Sequence, residues 1–233
     1  MESTRTPIVS IIVPTYNEEM TIEDVLLGIN RVMDNSGISY EVIVVCDGSD
    51  KETLNRVLKH KSAHVKVVSY FPNRGKGFAL KTGFAKSRGR FIVTIDSDGS
   101  HNPYDILRII KLLSKGIDVV IGVRSKSDMY GTSYFRGLFN SLVNFMIKIL
   151  ILRNISDSQS GLRGFRRELL DLQKIRSDRY SIETELTIRM LKDPSVKYYE
   201  IPIKIKMRQS GKSNLSFLRD GIFILLTAFT SLF

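Results

Sequence analysis

Ile92-Val93-Thr94-Ile95-Asp96-Ser97-Asp98 is an apolar, β-branched run that stops abruptly at two carboxylates. Such a run suits a buried strand. On an extended chain, positions i and i+2 project to the same side, so Asp96 and Asp98 are expected to face one small site where the strand ends. Paired hard oxygen ligands there suit Mg²⁺ or Mn²⁺ carrying a phosphorylated substrate. Taken alone, the pattern also fits an ordinary polar turn, since Asp, Ser and Gly all favour turns. The flanking sequence has to decide.

Upstream, strand and helix patterns alternate. Ile8–Val13 reads as a strand, followed by the loop Pro14–Glu19 and a helix from Thr21 to Met33 with Ile22, Val25, Leu26 and Ile29 on one face and Thr21 as its N-cap. Glu41–Cys46 is a nearly all-apolar strand, expected to be buried on both faces. A helix through about Lys59, a strand over Val65–Tyr70, a helix over Gly77–Ser87 and the strand Phe91–Ile95 follow. Beyond the Asp pair come a helix over Pro103–Ser114 and a strand over Asp118–Val123. Regular βα alternation implies an α/β fold with a largely parallel sheet and right-handed crossovers. Ligands of such folds sit beyond the carboxyl ends of the strands. The loops Pro14–Glu18, Asp47–Asp50, Asn73–Lys76 and Asp96–Asp98, together with Arg124, all fall at those ends and should share one rim. No G-x-G-x-x-G follows the first strand and no G-x-x-x-x-G-K-[ST] occurs, which argues against dehydrogenases and P-loop enzymes. Gly75-Lys76-Gly77 reads as a tight entry into a helix near phosphate.

Downstream the alternation is lost. Tyr134–Leu152 is a long helical pattern rich in Leu, Phe, Ile, Met and Val, interrupted by Arg136, Asn140, Asn144 and Lys148. Those four recur every fourth position and trace one drifting polar stripe, the layout of a helix lying in a membrane interface with basic residues toward headgroups. A helix buried against the sheet or a partner subunit fits the same composition. Ser181–Leu191 reads as a helix packed on the domain, and Val196–Met207 as one or two strands with Pro202 marking an edge. Arg208–Ser213 is a basic, glycine-containing loop. Ile222–Phe233 carries no charge and would span only about 18 Å as a helix, short of a ~30 Å hydrocarbon core. It fits a monotopic anchor, an oligomer contact or the start of a longer membrane helix. The expected division is therefore 1–216 for the α/β domain and 217–233 for an apolar, membrane-associated segment.

Net charge is +11 over 233 residues, and it is unevenly placed. Residues 1–120 hold 16 Lys/Arg against 14 Asp/Glu, whereas 121–233 hold 19 against 10. A basic second half suits a polyanionic partner: nucleic acid, pyrophosphate or an anionic membrane surface. No nucleic-acid motif is present, and the basic residues interleave with apolar helix, which suits lipid. The single cysteine, Cys46, excludes an intrachain disulfide, fits a reducing compartment and reads as a buried small hydrophobe. The first residues, Met1–Pro7, lack the layout of a secretory signal.

VSIIVPTYNE at 9–18, CDGSD at 46–50, NRGKGFALKTGF at 73–84 and the strand ending in DSD resemble inverting family-2 glycosyltransferases of the GT-A fold. VIGVRS, Arg136, DSQSGLRGF at 157–165 and EIPIKIKMRQSGKS at 200–213 are similar to the polyprenyl-phosphate sugar synthases within them, the class of dolichyl-phosphate mannose synthase. The resemblance implies a donor site lined by Pro14, Tyr16, Glu18, Val45, Asp47 and Lys76, with Asp47 reaching the base or ribose. It implies Mg²⁺ or Mn²⁺ on Asp96 and Asp98 beneath the donor diphosphate, and Arg124, Arg136 and Arg208 around the acceptor phosphate and the diphosphate. Asp157 falls near the reacting centre, and Ser213 in a loop that resembles an active-site flap. The implied reaction is transfer of mannose or glucose from a GDP- or UDP-sugar to a polyprenyl phosphate at the cytoplasmic membrane face, with a homo-oligomer as one arrangement. A lipid phosphate is already an anionic nucleophile and needs no strong base, whereas a hydroxyl acceptor would require one.

The chain departs from the family pattern at three places. Cys46-Asp47 stands where an acidic pair is usual, Ser100 stands where a longer amide ligand is usual, and Asn214 where a second Lys is frequent. Water or His101 would then complete a metal shell, although His101 also reads as a simple turn residue. The absence of Trp argues against processive polysaccharide synthases. Transfer to a sugar hydroxyl, or a non-catalytic nucleotide-sugar binder, are the competing readings. Retention of both carboxylates and three arginines argues against the binder.

Overall fold

Strands in which every residue is buried must be covered on both faces, and two of the first three strands are of this kind. β1 (Val9–Thr15) and β2 (Tyr40–Asp47) are buried along their whole length. β3 (Val65–Tyr70), β4 (Phe91–Thr94), β5 (Val119–Arg124), β6 (Arg163–Arg166) and β7 (Tyr198–Ile203) complete a seven-stranded sheet in the order β3-β2-β1-β4-β6-β5-β7. The computed structural model describes residues 6–125 and 134–206, the backbone alone over 134–140, together with 223, 224, 226–228, 230 and 231.

The βα alternation is as expected. α1 (Ile22–Asp34), α2 (Lys51–Lys59), α3 (Lys76–Lys86) and α4 (Tyr104–Ser114) separate the first five strands, and α5 (Tyr134–Ile151) and α6 (Ile182–Leu191) follow. β1 pairs in parallel with β2 and β4, β2 with β3, and β5 with β7. β7 is a single strand at the sheet edge, and Pro202 sits within it, where an edge tolerates a missing donor.

The sequence pattern contains no sign of β6. It lies between β4 and β5, antiparallel to both, with Thr94 opposite Arg163 and Ile121 opposite the same residue on the other side. Its four residues are Arg-Gly-Phe-Arg, with no alternation to read. Arg163 is nevertheless 2% exposed. Burial there is tolerated because its guanidinium donates to the carbonyls of Ser158, Ser160 and Glu183 and to Thr187 Oγ1.

Two apolar cores flank the sheet. α1 and α4 cover one face with Ile22, Leu26, Ile29, Ile106, Ile109 and Leu113. α3, α5 and α6 cover the other with Leu80, Phe84, Val143, Ile147, Ile182 and Leu186. Residues 223, 224, 226–228 and 230 are helical, and Ile224 and Ala228 join this second core. Cys46 is buried as expected, and burial pushes its thiol up to about 12, which keeps it unreactive.

Candidate active site

The carboxyl ends of β1, β2 and β4 and the entry to α3 open onto one pocket. Pro14, Tyr16, Glu18, Asp47, Lys76, Asp96 and Asp98 all line it, so most of the rim expected from the alternation is assembled. Asp96 and Asp98 reach it by a different route from the one expected. The strand ends at Thr94, and Ser97 and Asp98 lie in a turn, so a bend rather than strand alternation brings the two carboxylates to one pocket. The Thr21 hydroxyl fixes that bend by donating to the Ser97 carbonyl at 2.8 Å. It makes no cap bond to α1, although Thr21 holds the N-cap position. Ser100 N–H donates to Asp98 Oδ1 at 3.0 Å, closing the turn.

Asp96 keeps 26% of its side chain open to the pocket and sits in a charged chain. Lys76 Nζ is 2.7 Å from Asp96 Oδ1 and 2.6 Å from Glu183 Oε1, and His101 Nε2 lies 3.5 Å from Asp96 Oδ2. Burial works against the charged carboxylate, but the Lys76 ammonium and His101 outweigh it and hold Asp96 far below the usual carboxylate range. Burial likewise opposes the charged Lys76, and Asp96 and Glu183 overcome it and raise the lysine above its ordinary value. Glu183, in the first turn of α6, had no place in the sequence-level site. Its only signal is a Glu beside a helix start, which normally reads as dipole complementarity.

Glycine makes the close approaches possible. A Cβ on Gly161 would stand 2.2 Å from Asp96 Oδ2. Gly75 has φ 100°, and a Cβ there would stand 2.5 Å from the Asp178 carbonyl; one on Gly77 would stand 2.5 Å from that of Ser177. The Gly-Lys-Gly segment therefore lies directly on residues 177–179, and Phe78 N–H bonds the Asp178 carbonyl at 3.1 Å. Arg179 and Tyr180 from that segment also line the pocket.

Asp47 lines the pocket, yet both its oxygens are engaged. Oδ1 accepts from Arg74 N–H at 2.7 Å, and Oδ2 from Gly75 N–H at 2.8 Å and Asn73 Nδ2 at 2.9 Å. It therefore shapes the 73–75 loop while lining the pocket. Val45 is corrected outright: it is fully buried in the core, facing α3 near Gly83, and does not line the pocket. Val45 lies two residues back from the end of β2, on the same face as Asp47, and at that depth α3 covers it.

A second charged pair lies at the end of β5. Arg124 Nε and Nη2 hold Asp157 Oδ2 and Oδ1 at 2.6 and 2.7 Å, a bidentate pair, and Asp157 is 1% exposed. Burial disfavours the guanidinium, and Asp157 more than compensates, raising Arg124 above its ordinary value. Arg136 falls on the described backbone of α5 with its side chain outside the described residues; Arg208 and Ser213 lie outside them altogether.

The chemistry of the donor set fits a hard divalent ion. Two carboxylates line one wall of the pocket, and among the described residues no cluster of three His, Cys, Asp or Glu would hold a metal unaided. A phosphorylated ligand and water would have to complete the shell, as Mg²⁺ sites usually require.

A profile of glycosyl transferase family 2 matches residues 10–172. An uncharacterised protein of Methanocaldococcus jannaschii is 31% identical over 83% of this chain and 79% of its own length. A dolichol-phosphate mannosyltransferase of Pyrococcus furiosus is 28% identical over 89% of this chain, which spans only 59% of that protein. Among solved structures, glucosyl-3-phosphoglycerate synthase of Mycobacterium tuberculosis, in complex with Mn²⁺, UDP-glucose and phosphoglyceric acid, superposes with a TM-score of 0.73. It is 23% identical, and the match covers 97% of this chain and 80% of that one.

The Asp96–Lys76 pair has a testable pH signature. The folded value of Asp96 lies below its unfolded one, so its contribution to stability is complete above the ordinary Asp range and is lost as pH falls through the depressed folded value. In chelator, the urea midpoint of the wild-type protein should fall between about pH 5 and pH 3. Lys76→Met should show a shallower acid slope; equal slopes in both proteins would refute the pairing.

Proposed function

The chain belongs to glycosyl transferase family 2, and from that premise we propose that it transfers mannose or glucose from a GDP- or UDP-linked donor to a polyprenyl phosphate, with inversion, at the cytoplasmic face of a membrane. The observation that carries the lipid half of this reading is the outer face of α5. Leu142, Phe145 and Ile149 recur at helical spacing and are 49%, 60% and 56% exposed, beside Lys148, and Leu152 just past the helix end is 89% exposed. An apolar row with a basic neighbour is what a helix seated in the headgroup region presents. Within the stripe expected from the sequence, Asn144 departs: its side chain turns toward the 156–158 loop, not outward. Among the described residues no helix is long and apolar enough to cross a membrane, so α5 would lie on the surface.

The pocket supports the donor half. Pro14, Tyr16 and Glu18 offer walls for a nucleoside, while Asp96 and Asp98 would hold Mg²⁺ or Mn²⁺ beneath a diphosphate. A bound divalent ion would neutralise the charge that builds on the leaving diphosphate. Arg124 offers a planar donor set suited to phosphate oxygens, and Asp157 fixes its orientation. Both oxygens of Asp157 are engaged by that guanidinium rather than directed at an acceptor. That supports an acceptor arriving as an anion, as a lipid phosphate does, over a sugar hydroxyl. The mannosyltransferase relative is named for such an acceptor. Arg136, Arg208 and Ser213 remain assigned here by resemblance, as does the division into a domain at 1–216 and a membrane-associated segment at 217–233.

A panel of GDP- and UDP-sugars with undecaprenyl phosphate and either Mg²⁺ or Mn²⁺ tests the reaction directly; product formed only with hydroxyl acceptors would overturn it. Asp98→Ala should lower turnover by roughly two to three orders of magnitude while the thermal melt is retained, and chelation should abolish transfer. Gly161→Ala, which pushes on the Asp96 carboxylate, should weaken Mn²⁺-dependent UDP binding measured by calorimetry. Replacing Leu142, Phe145 and Ile149 together by Ser should release the protein from anionic vesicles in a flotation assay, and unchanged flotation would remove α5 from the interface.

A further inference from the structure

We infer that Asn144 is a positioning residue that ties α5 to the Arg124–Asp157 pair, so that seating α5 on a lipid surface sets where Arg124 stands beside the donor site. The inference rests on the lipid-acceptor reading above. α5 is apolar on two faces. Val143, Ile147 and Ile151 pack into the core, and Leu142, Phe145 and Ile149 face outward. Asn144 lies between these faces, and each end of its amide is used. Nδ2 donates to the Ser156 carbonyl at 2.7 Å, and Oδ1 accepts from Ser158 N–H at 3.0 Å and Ser158 Oγ at 2.7 Å. The amine faces an acceptor and the carbonyl faces two donors, so the network defines the amide's orientation.

Those bonds clasp the chain on both sides of Asp157, whose carboxylate grips Arg124. The same two residues are also held by other elements. Glu200 of β7 accepts from Ser156 N–H and Oγ, both at 2.7 Å, and the Ser158 carbonyl accepts from Arg163 Nη2 at 2.9 Å. Arg163 in turn donates to the Glu183 carbonyl at 2.8 Å, and Glu183 meets Lys76 and, through it, Asp96. A shift of α5 thus reaches both chain neighbours of Asp157 through three direct bonds, at the residues that β7 and β6 also hold. Asn is a weak helix former that competes for backbone partners, and helix packing alone would be served as well by Leu or Ala here. A displacement near 1 Å at a group that positions substrate is enough to change turnover by up to ~100-fold. Contact continuity by itself is no proof of coupling, so the test measures coupling.

The readout is the ratio of kcat for undecaprenyl phosphate in phosphatidylcholine–phosphatidylglycerol vesicles to kcat for farnesyl phosphate in solution, with GDP-mannose and UDP-glucose as donors. The wild-type ratio should exceed one. Asn144→Leu should lower it by about tenfold, through kcat rather than KM, with vesicle flotation and calorimetric UDP or GDP binding retained. Phe145→Ser should lower the same ratio, and the double variant should fall no further than the worse single one. A wild-type ratio of one overturns the lipid reading and the inference with it. A raised wild-type ratio that Asn144→Leu preserves, or additive losses in the double variant, overturns the inference alone. Should Asn144→Leu fail to fold, hydrogen exchange at the Ser158 amide of the wild-type protein decides: slowing on addition of vesicles supports the link, and unchanged exchange refutes it.

Discussion

Lys76 stands between two carboxylates that could not otherwise share a buried site, and the donor end of the molecule depends on that bridge. Asp96 arrives from the end of β4 and Glu183 from the start of α6, and two like charges brought to one cation repel each other. The ammonium from a third element, α3, offsets that repulsion by contacting both. The rest of the local architecture follows from placing that ammonium. The backbone on either side of Lys76 must lie on residues 177–179, which requires glycine at 75 and 77, and Asp96 must lie on residue 161, which requires glycine there too. The same rule recurs next door, where Asp157 is admitted to the interior only with Arg124, and Arg163 only with four oxygen acceptors. Charges enter this interior in company or not at all.

Much of this was legible in the chain. β-branched runs separated by helical periodicity fix strand, helix and parallel pairing, because burial on both faces leaves a continuous apolar signature. The convergence of residues 14–18, 47, 76 and 96–98 follows from topology alone. What stayed hidden has a common cause: long-range charge pairing leaves no periodicity. Glu183 looks like a surface residue in one dimension, since nothing near it in sequence names Lys76, and nothing near Arg163 names the Glu183 carbonyl 20 positions away. β6 was missed for the same reason, being a central strand made of two arginines, a glycine and a phenylalanine.

Asn144 and Val45 show the opposite error, in which a valid local pattern met a stronger tertiary demand. Spacing placed Asn144 with Lys148 on one polar stripe. The loop beside it carried both a carbonyl and an N–H that needed partners, and an amide serves both where an ammonium can only donate. Val45 shares a face with Asp47, but two residues deeper along the strand that face is already covered by α3. Residues of family motifs are therefore of two kinds: those that face the ligand, and those that hold the facing residues in place. Asp47, which lines the pocket while its oxygens serve the 73–75 loop, belongs to both kinds.

The reversed direction of β6 has a consequence for how this chain tolerates change. A parallel strand delivers the loop that follows it to the rim, whereas β6 delivers the loop that precedes it. Residues 157–161 are therefore bounded on one side by the clasp from α5 and on the other by a register fixed on two neighbouring strands. Loops at the ends of the parallel strands can gain or lose residues at their outer turn. This one has no outer turn to spare, because a single inserted residue would move Asp157 and Gly161 against Asp96 and Arg124 together. Among homologous chains, the segment should be the least variable in length of all those at the pocket, whatever its variation in composition.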